Sequence, residues 1–202
     1  MSDTLPMPVS TLSKAQRSSI LNLVRRAARA EILPRFRNLE SGEIDQKKSH
    51  QDLVTEADRA AERMIARGLL ALFPNALIIG EENVADHPEV LDKVADAELA
   101  FTIDPVDGTW NYAHGLATFG VIVSALRFGT PVFGLIYDPV MDDVVLGETG
   151  GPAELVMPKR RKRRTLSVSE GGPVEDLQGY LPLYMLPADK QAEMAALLPR
   201  FE

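Results

Sequence analysis

The sequence predicts an α+β chain in which helices come first and a largely antiparallel sheet follows. Two observations carry this. Apolar residues recur at helical spacing in two segments before Pro74. Apolar and β-branched runs then succeed one another from Ala76 to Gly147, punctuated by Gly and Pro, without the strand-helix alternation of a parallel sheet.

Taken in order, Ser13 and Gln16 fit a capping box, and Ile20, Val24, Ala27, Ala28 and Ile32 follow on one helical face. This first helix is expected to run to about Pro34 or Phe36. NLESGEIDQKKSHQ, residues 38–51, is polar and reads as a loop. Thr55 can cap a second helix with Ala61, Met64, Ile65, Leu69 and Leu72 on its apolar side, stopped at Phe73-Pro74. ALIIG is a short buried strand, followed by a small polar excursion; LAFTID is the next strand. FGVIVSALRFG, PVFGLIYDP and DDVVLG complete the β-rich region. Beyond Gly150-Gly151, AELVM and TLSVS read as strands flanking a basic tip, and PADKQAEMAALLPRF as a helix.

Composition narrows the chemistry. The chain has 202 residues, 45% hydrophobic and 25% charged, enough to bury a sizeable core. It has no cysteine, so disulfides, thiolate nucleophiles and zinc-thiolate sites are excluded, and a metal must be held by oxygen or by one of three histidines. A hard cation is favoured over zinc. The first residues lack a basic segment with an apolar core, and no apolar stretch reaches the roughly 18 residues of a membrane span, so the expected location is the cytoplasm. A formal charge of -7 argues against non-specific nucleic-acid binding by the whole chain. The run KRRKRR, Lys159 to Arg164, could serve as a local nucleic-acid patch; without interleaved aromatics, a solvated hairpin tip is the plainer reading.

Acidic residues gather at element ends: Asp52, Glu56 and Asp58 at a helix start, Glu81-Glu82 after ALIIG, Asp104 and Asp107 after LAFTI. Acids at a helix start cap it and complement its dipole, which accounts for the first group taken alone. Glu81-Glu82 is either a solvated loop or a pair of oxygen ligands. In DPVDGT, Pro105 holds Asp104 extended and Gly108 permits a sharp turn, so Asp104, the Val106 carbonyl and Asp107 can face one place. Converging carboxylates repel unless cations sit between them, and oxygen-only ligands suit Mg²⁺. The amides of Gly108 and Thr109 can open a short helix through Trp110 to Tyr112, whose free N–H groups suit phosphate oxygens.

Four segments, DLVTEAD (Asp52 to Asp58), GEEN (Gly80 to Asn83), IDPVDGTWNYAHG (Ile103 to Gly115) and FGLIYDPVMDDV (Phe133 to Val144), resemble the inositol monophosphatase family of Mg²⁺-dependent, lithium-sensitive sugar phosphatases. The resemblance covers residues 15 to 170. It implies a layered α/β/α/β/α sandwich, with residues 1–150 an N-terminal α+β domain carrying the metal and phosphate site and 151–202 the start of a truncated C-terminal α/β domain. It implies that Glu81, Asp104, the Val106 carbonyl and Asp107 hold two or three Mg²⁺ ions. Gly108 and Thr109 would hold phosphate alongside those ligands, Lys47 would lie on a loop near the metals, and Thr109 with Asp58 would orient the attacking water, backed by Glu82. The implied activity is phosphomonoester hydrolysis by metal-activated water.

The implied substrate is inositol monophosphate or a related small phosphate such as 3'-phosphoadenosine 5'-phosphate, fructose 1,6-bisphosphate or histidinol phosphate. Family members are usually homodimers. The family's second signature, a Trp-Asp pair followed by small residues, is not found, since Trp110 is the sole tryptophan; the C-terminal domain is therefore expected to be incomplete. A relative with impaired catalysis that binds metal or phosphate is the alternative. Ala117 stands where the family usually has proline, and His114 reads as a structural histidine.

Overall fold

A computed structural model describes residues 11–40, 42–46, 53–173, 179, 182–183 and 186–197. Its contacts divide the chain into two compact units, Met1–Leu166 and Ser167–Glu202.

The first unit opens with α1 (Lys14–Ala27), capped as its sequence predicts: Ser13 Oγ accepts from the Gln16 amide at 3.2 Å, and Gln16 Oε1 accepts from the Ser13 amide at 2.8 Å. The helix does not continue regularly to Pro34. It widens into a π-helical turn over Ala28–Ile32, in which the Leu33 amide donates to the Ala28 carbonyl at 2.8 Å. Widening the turn keeps both Ala28 and Ile32 in the core and leaves the Ile32 carbonyl able to accept from the Tyr112 hydroxyl at 2.7 Å.

Two short strands follow, β1 (Ile44–Gln46) and β2 (Leu53–Thr55), antiparallel to each other. β1 lies in the stretch the polar composition marked as loop. Next comes α2 (Glu56–Leu72), stopped at Phe73 as expected. Then β3 (Leu77–Gly80), α3 (Glu81–Asp86), β4 (Ala100–Asp107), α4 (Thr109–Ala113), β5 (Gly120–Arg127), β6 (Thr130–Asp138), β7 (Asp143–Glu148), β8 (Ala153–Met157) and β9 (Lys162–Leu166) complete the unit. The polar excursion after β3 is thus helical, first as α3 and then as a 3-10 turn over Pro88–Lys93.

β3 to β9 form one seven-stranded sheet in sequence order. Only the β3–β4 pairing is parallel, so the largely antiparallel sheet predicted from the run of strands is present. The sheet continues through Gly150 as the turn from β7 to β8 and ends at Leu166. β9 begins three residues earlier than the run TLSVS suggests, because Lys162, Arg163 and Arg164 pair through their backbones while their side chains stand in water at the sheet edge.

One face of the sheet carries Phe101, Ile103, Val121, Val123 and Leu135, all buried against Ile20, Val24, Ala61, Ile65 and Leu69 of α1 and α2. Burying these side chains is the main stabilising contribution. Ion pairs tie α1 to the sheet as well: Arg17 meets Glu148, and Arg25 Nε lies 3.0 Å from Asp142 Oδ1, which also accepts from the Tyr137 hydroxyl at 2.9 Å. The alternate residues Thr102, Ile122, Ser124 and Ile136 lie on the opposite face and are less covered. In the second unit, α5 (Ala188–Leu197) forms where a helix is predicted, with no buried residue. Among the described residues no helix is long and apolar enough to cross a membrane.

Candidate active site

The site begins where β4 breaks its ladder. Asp104 pairs with Ile122 and Asp107 with Gly120, so two residues on β4 oppose one on β5. Pro105 cannot donate to the ladder, and a bulge results. The bulge turns Val106 into the core, leaves Asp104 half-buried on the less covered face and Asp107 exposed at the strand end. Gly108 then adopts φ 91° and ψ 36°, a left-handed conformation that glycine takes without strain, and α4 starts at Thr109. A Cβ at Gly108 would also press on the Thr118 carbonyl at 2.9 Å.

Thr109 Oγ1 lies 2.9 Å from the Val106 carbonyl and 3.3 Å from Asp58 Oδ1. The hydroxyl has one proton, and the shorter contact takes it. Asp58 is the third residue of α2 and fully buried; its Oδ2 accepts from the Thr55 amide at 2.8 Å and from Thr55 Oγ1 at 2.5 Å. Burial pushes Asp58 up to about 6, against the opposing pull of the Thr55 hydrogen bonds, with a smaller upward push from Glu82.

Parallel pairing of Gly80 with Ile103 sets Glu81 alongside Asp104. The two carboxylates are close neighbours. Burial first, then the charges of Glu81 and Asp107, pushes Asp104 up to about 7. Its Oδ1 is buried with no hydrogen-bond partner. A cleft of about 660 Å³ opens beside Asp107, Gly108 and Asn111, with Asp138 and Asp143 also on its wall.

These facts bear on whether the residues suit a hard divalent cation. The donors are all oxygens, Asp104 Oδ1 is buried and unsatisfied, and its repulsion with Glu81 and Asp107 would be relieved by positive charge. Among the described residues no three His, Asp or Glu side chains are drawn into a closed ligand group. In chemistry and charge these oxygen donors suit Mg²⁺.

Thr109 is therefore hydrogen-bonded to the Val106 carbonyl and in contact with Asp58, and Glu81, Asp104 and Asp107 are brought together by charge. Glu82 is near enough to Asp58 to act on it, with its backbone held elsewhere. Lys47 and Asp52 lie outside the described residues. His114 stacks on Trp110 at 4.0 Å, and its Nδ1 is 2.7 Å from the Trp110 carbonyl, a structural pairing. Of the basic run, Lys159 and Arg160 sit on a 3-10 turn, Arg161 takes a left-handed φ of 51°, and the rest lies on β9, with Arg163 paired to Glu154.

Residues 14–178 match the profile of the Inositol monophosphatase family. The chain belongs to that family. Its curated relatives include an inositol monophosphatase 1 from Solanum lycopersicum, 37% identical over 54% of this chain and 38% of the relative. The fructose-1,6-bisphosphatase/inositol-1-monophosphatase of Thermotoga maritima is 28% identical over 70% of this chain and 50% of its own length. The Nus factor SuhB of Vibrio cholerae is 31% identical over 79% and 55%. The chain thus spans about half the length of the curated relatives it matches. Among solved structures, the inositol monophosphatase of Thermotoga maritima aligns with TM-score 0.60 at 25% identity over 70% of this chain and 51% of that one. Inositol monophosphatase II of Staphylococcus aureus aligns at 0.67 and 23% over 92% and 63%, a likeness of fold. The inositol monophosphatase fold predicted from the motifs is the fold of this chain.

Sequence reasoning missed Glu62. It is buried on α2 one turn after Asp58, and its carboxylate accepts from the amides of Glu82 at 2.8 Å and Asn83 at 3.1 Å. The available signal was an acid on the apolar stripe formed by Ala61, Ile65 and Leu69.

Proposed function

We propose that this chain carries the metal and phosphate half of a Mg²⁺-dependent phosphomonoesterase acting on inositol monophosphate or a related small sugar or nucleotide phosphate. The observation that supports it best is Thr109 at the β4 bulge, its hydroxyl bonded to the Val106 carbonyl and in contact with Asp58, together with the unsatisfied Asp104 Oδ1. In this reading Glu81, Asp104, the Val106 carbonyl and Asp107 would hold two or three Mg²⁺ ions. When bound, these ions would supply positive charge against the phosphate oxygens and lower the pKa of water.

The remaining chemistry belongs to the protein. Thr109 Oγ1 and Asp58 Oδ1 together orient a water oxygen in line with phosphorus, and Asp58, pushed up to about 6, sits near a pKa suited to receiving its proton near neutral pH. The amides of Gly108, on the wall of the 660 Å³ cleft, and of Thr109 next to it donate to phosphate oxygens. In this reading Lys47 would add positive charge, and the charge of Glu82 biases Asp58.

Phosphate release from inositol 1-phosphate with and without Mg²⁺ tests this reading, and lithium inhibition refines it. Release that requires Mg²⁺ is the expected result. No release in the presence of Mg²⁺ would favour a second reading, a relative that acts by association. That reading has one observation in its favour: two matched relatives, from Vibrio cholerae and Pseudomonas aeruginosa, are named Nus factors and not phosphatases.

A further inference from the structure

We infer that Glu62 is a positioning residue that aims Glu81 at the metal site from a neighbouring helix. The inference rests on the metal reading of Glu81. The carboxylate of Glu62 divides its two oxygens between two consecutive amides: Oε2 accepts from Glu82 at 2.8 Å and Oε1 from Asn83 at 3.1 Å. Both amides belong to the first turn of α3, where helical N–H groups have no partner within the helix. Two bonds to one rigid carboxylate fix the orientation of the peptide units immediately after Glu81. With Gly80 on its other side held in register against Ile103, the Glu81 backbone is bracketed. Its side chain then meets Asp104.

The backbone around Glu62 is shaped to admit it. A Cβ on Gly80 would stand 2.2 Å from Glu62 Cδ and within 2.5 Å of both carboxylate oxygens. Gly80 has an ordinary extended φ of -91°, so it is space beside the Glu62 carboxylate, and not backbone conformation, that favours glycine there. Stability gives a weak reason for a carboxylate at this place. Glu62 is buried and within electrostatic reach of both Glu81 and Glu82, which repel it. A glutamine would bring no charge into the cluster, but it has a single acceptor oxygen and could not serve both amides. The arrangement accepts an electrostatic cost and in return fixes the direction of one acid precisely where direction matters to a cation.

Outer partners of metal ligands typically change metal affinity by roughly 10- to 100-fold when altered. Mg²⁺ titration of the protein without substrate, followed by calorimetry and by the rise in Tm, is the test for wild type, Glu62→Gln and Glu62→Asp. Weakening of Mg²⁺ affinity by roughly 10-fold or more in Glu62→Gln, with faster hydrogen exchange at the Glu82 and Asn83 amides, is expected. Glu62→Asp keeps the charge but is too short to span both amides, so it should fall between the two and serves if Glu62→Gln fails to fold. In turnover assays the Mg²⁺ requirement should rise while kcat recovers at saturating Mg²⁺. Unchanged Mg²⁺ affinity in a folded variant overturns the role of Glu62 alone. Failure of the wild type to bind Mg²⁺ overturns the metal reading itself, and the aiming of Glu81 with it.

Discussion

Asp58 and Glu62 stand one turn apart on α2 and both turn inward, the first to Thr55 and Thr109, the second to the amides that open α3. One helix face thereby fastens two segments of the site that are far apart in sequence, the turn after β4 and the turn after β3. Neither acid is paired with a cationic side chain by any of these bonds. Each depends on hydroxyl and amide donors.

Burial of Asp58 predicts a pH dependence of stability. Asp58 is pushed from 3.8 to about 6 in the fold, so between those values the folded state binds more protons than the unfolded one. Its contribution is fully present below about pH 4 and is lost as pH rises through 6. Asp104, pushed up to about 7, acts in the same direction and carries the window higher. The Asp58 shift corresponds to on the order of 3 kcal/mol in total. Urea unfolding with chelator present should show Asp58→Asn gaining roughly 2 kcal/mol on wild type between pH 4.5 and 7.5. An equal difference at both pH values would show that Asp58 is not held up by burial.

Gly80→Ala places a methyl group against the Glu62 carboxylate and should cost about 1 to 3 kcal/mol, the usual range for overpacking. The contact predicts its own control. In a Glu62→Ala background the same Gly80→Ala change should cost much less, because the atoms it meets are gone. Additive effects in that double-mutant cycle, read from chemical denaturation, would mean that the contact does not determine the need for glycine.

The contrast between what was legible and what was not follows the range of the forces involved. The faces of α1 and α2 repeat through Ile20, Val24, Ala61, Ile65 and Leu69, and the β4 turn is written locally by Pro105 and Gly108. α3 was not legible because its first turn is satisfied by Glu62, some twenty residues upstream. The first three residues of β9 were missed because cationic residues look like a tip, while edge pairing uses only the backbone. In the site, Asp58, Glu81, Asp104 and Asp107 could be marked and the motifs tied them together, whereas Glu62 was not marked. The contact between Asp58 and Thr109, 51 residues apart, is a product of tertiary packing.

Tyr112 gives a prediction that separates core packing from the site. Its buried hydroxyl donates to the Ile32 carbonyl at 2.7 Å, linking α4 to the π-helical turn, and burial raises its pKa well above the usual tyrosine value. The same carbonyl also accepts from the Phe36 amide at 3.1 Å, so removing the hydroxyl does not orphan it. Tyr112→Phe should therefore cost about 1 kcal/mol in urea unfolding and leave Mg²⁺ binding unchanged. A loss above about 3 kcal/mol would mean the hydroxyl has a larger part in holding α4 than this one bond.

Asp104 sets function against stability most directly. Its Oδ1 is buried without a partner, and its ionised form is opposed by burial, Glu81 and Asp107. Asp104→Asn removes that charge, so without Mg²⁺ at pH 8 the variant should be more stable than wild type, by on the order of 2 kcal/mol. Adding Mg²⁺ should reverse the order: the wild type gains stability in proportion to its occupancy, and the variant gains little. Phosphate release should fall at least roughly 100-fold in the variant, since the lost charge would be the one nearest both neighbouring acids. Thermal unfolding with and without Mg²⁺, alongside turnover, distinguishes the possibilities. Near-normal turnover would remove Asp104 from the metal site, and a variant less stable than wild type without Mg²⁺ would show that its carboxylate is not strained by its surroundings.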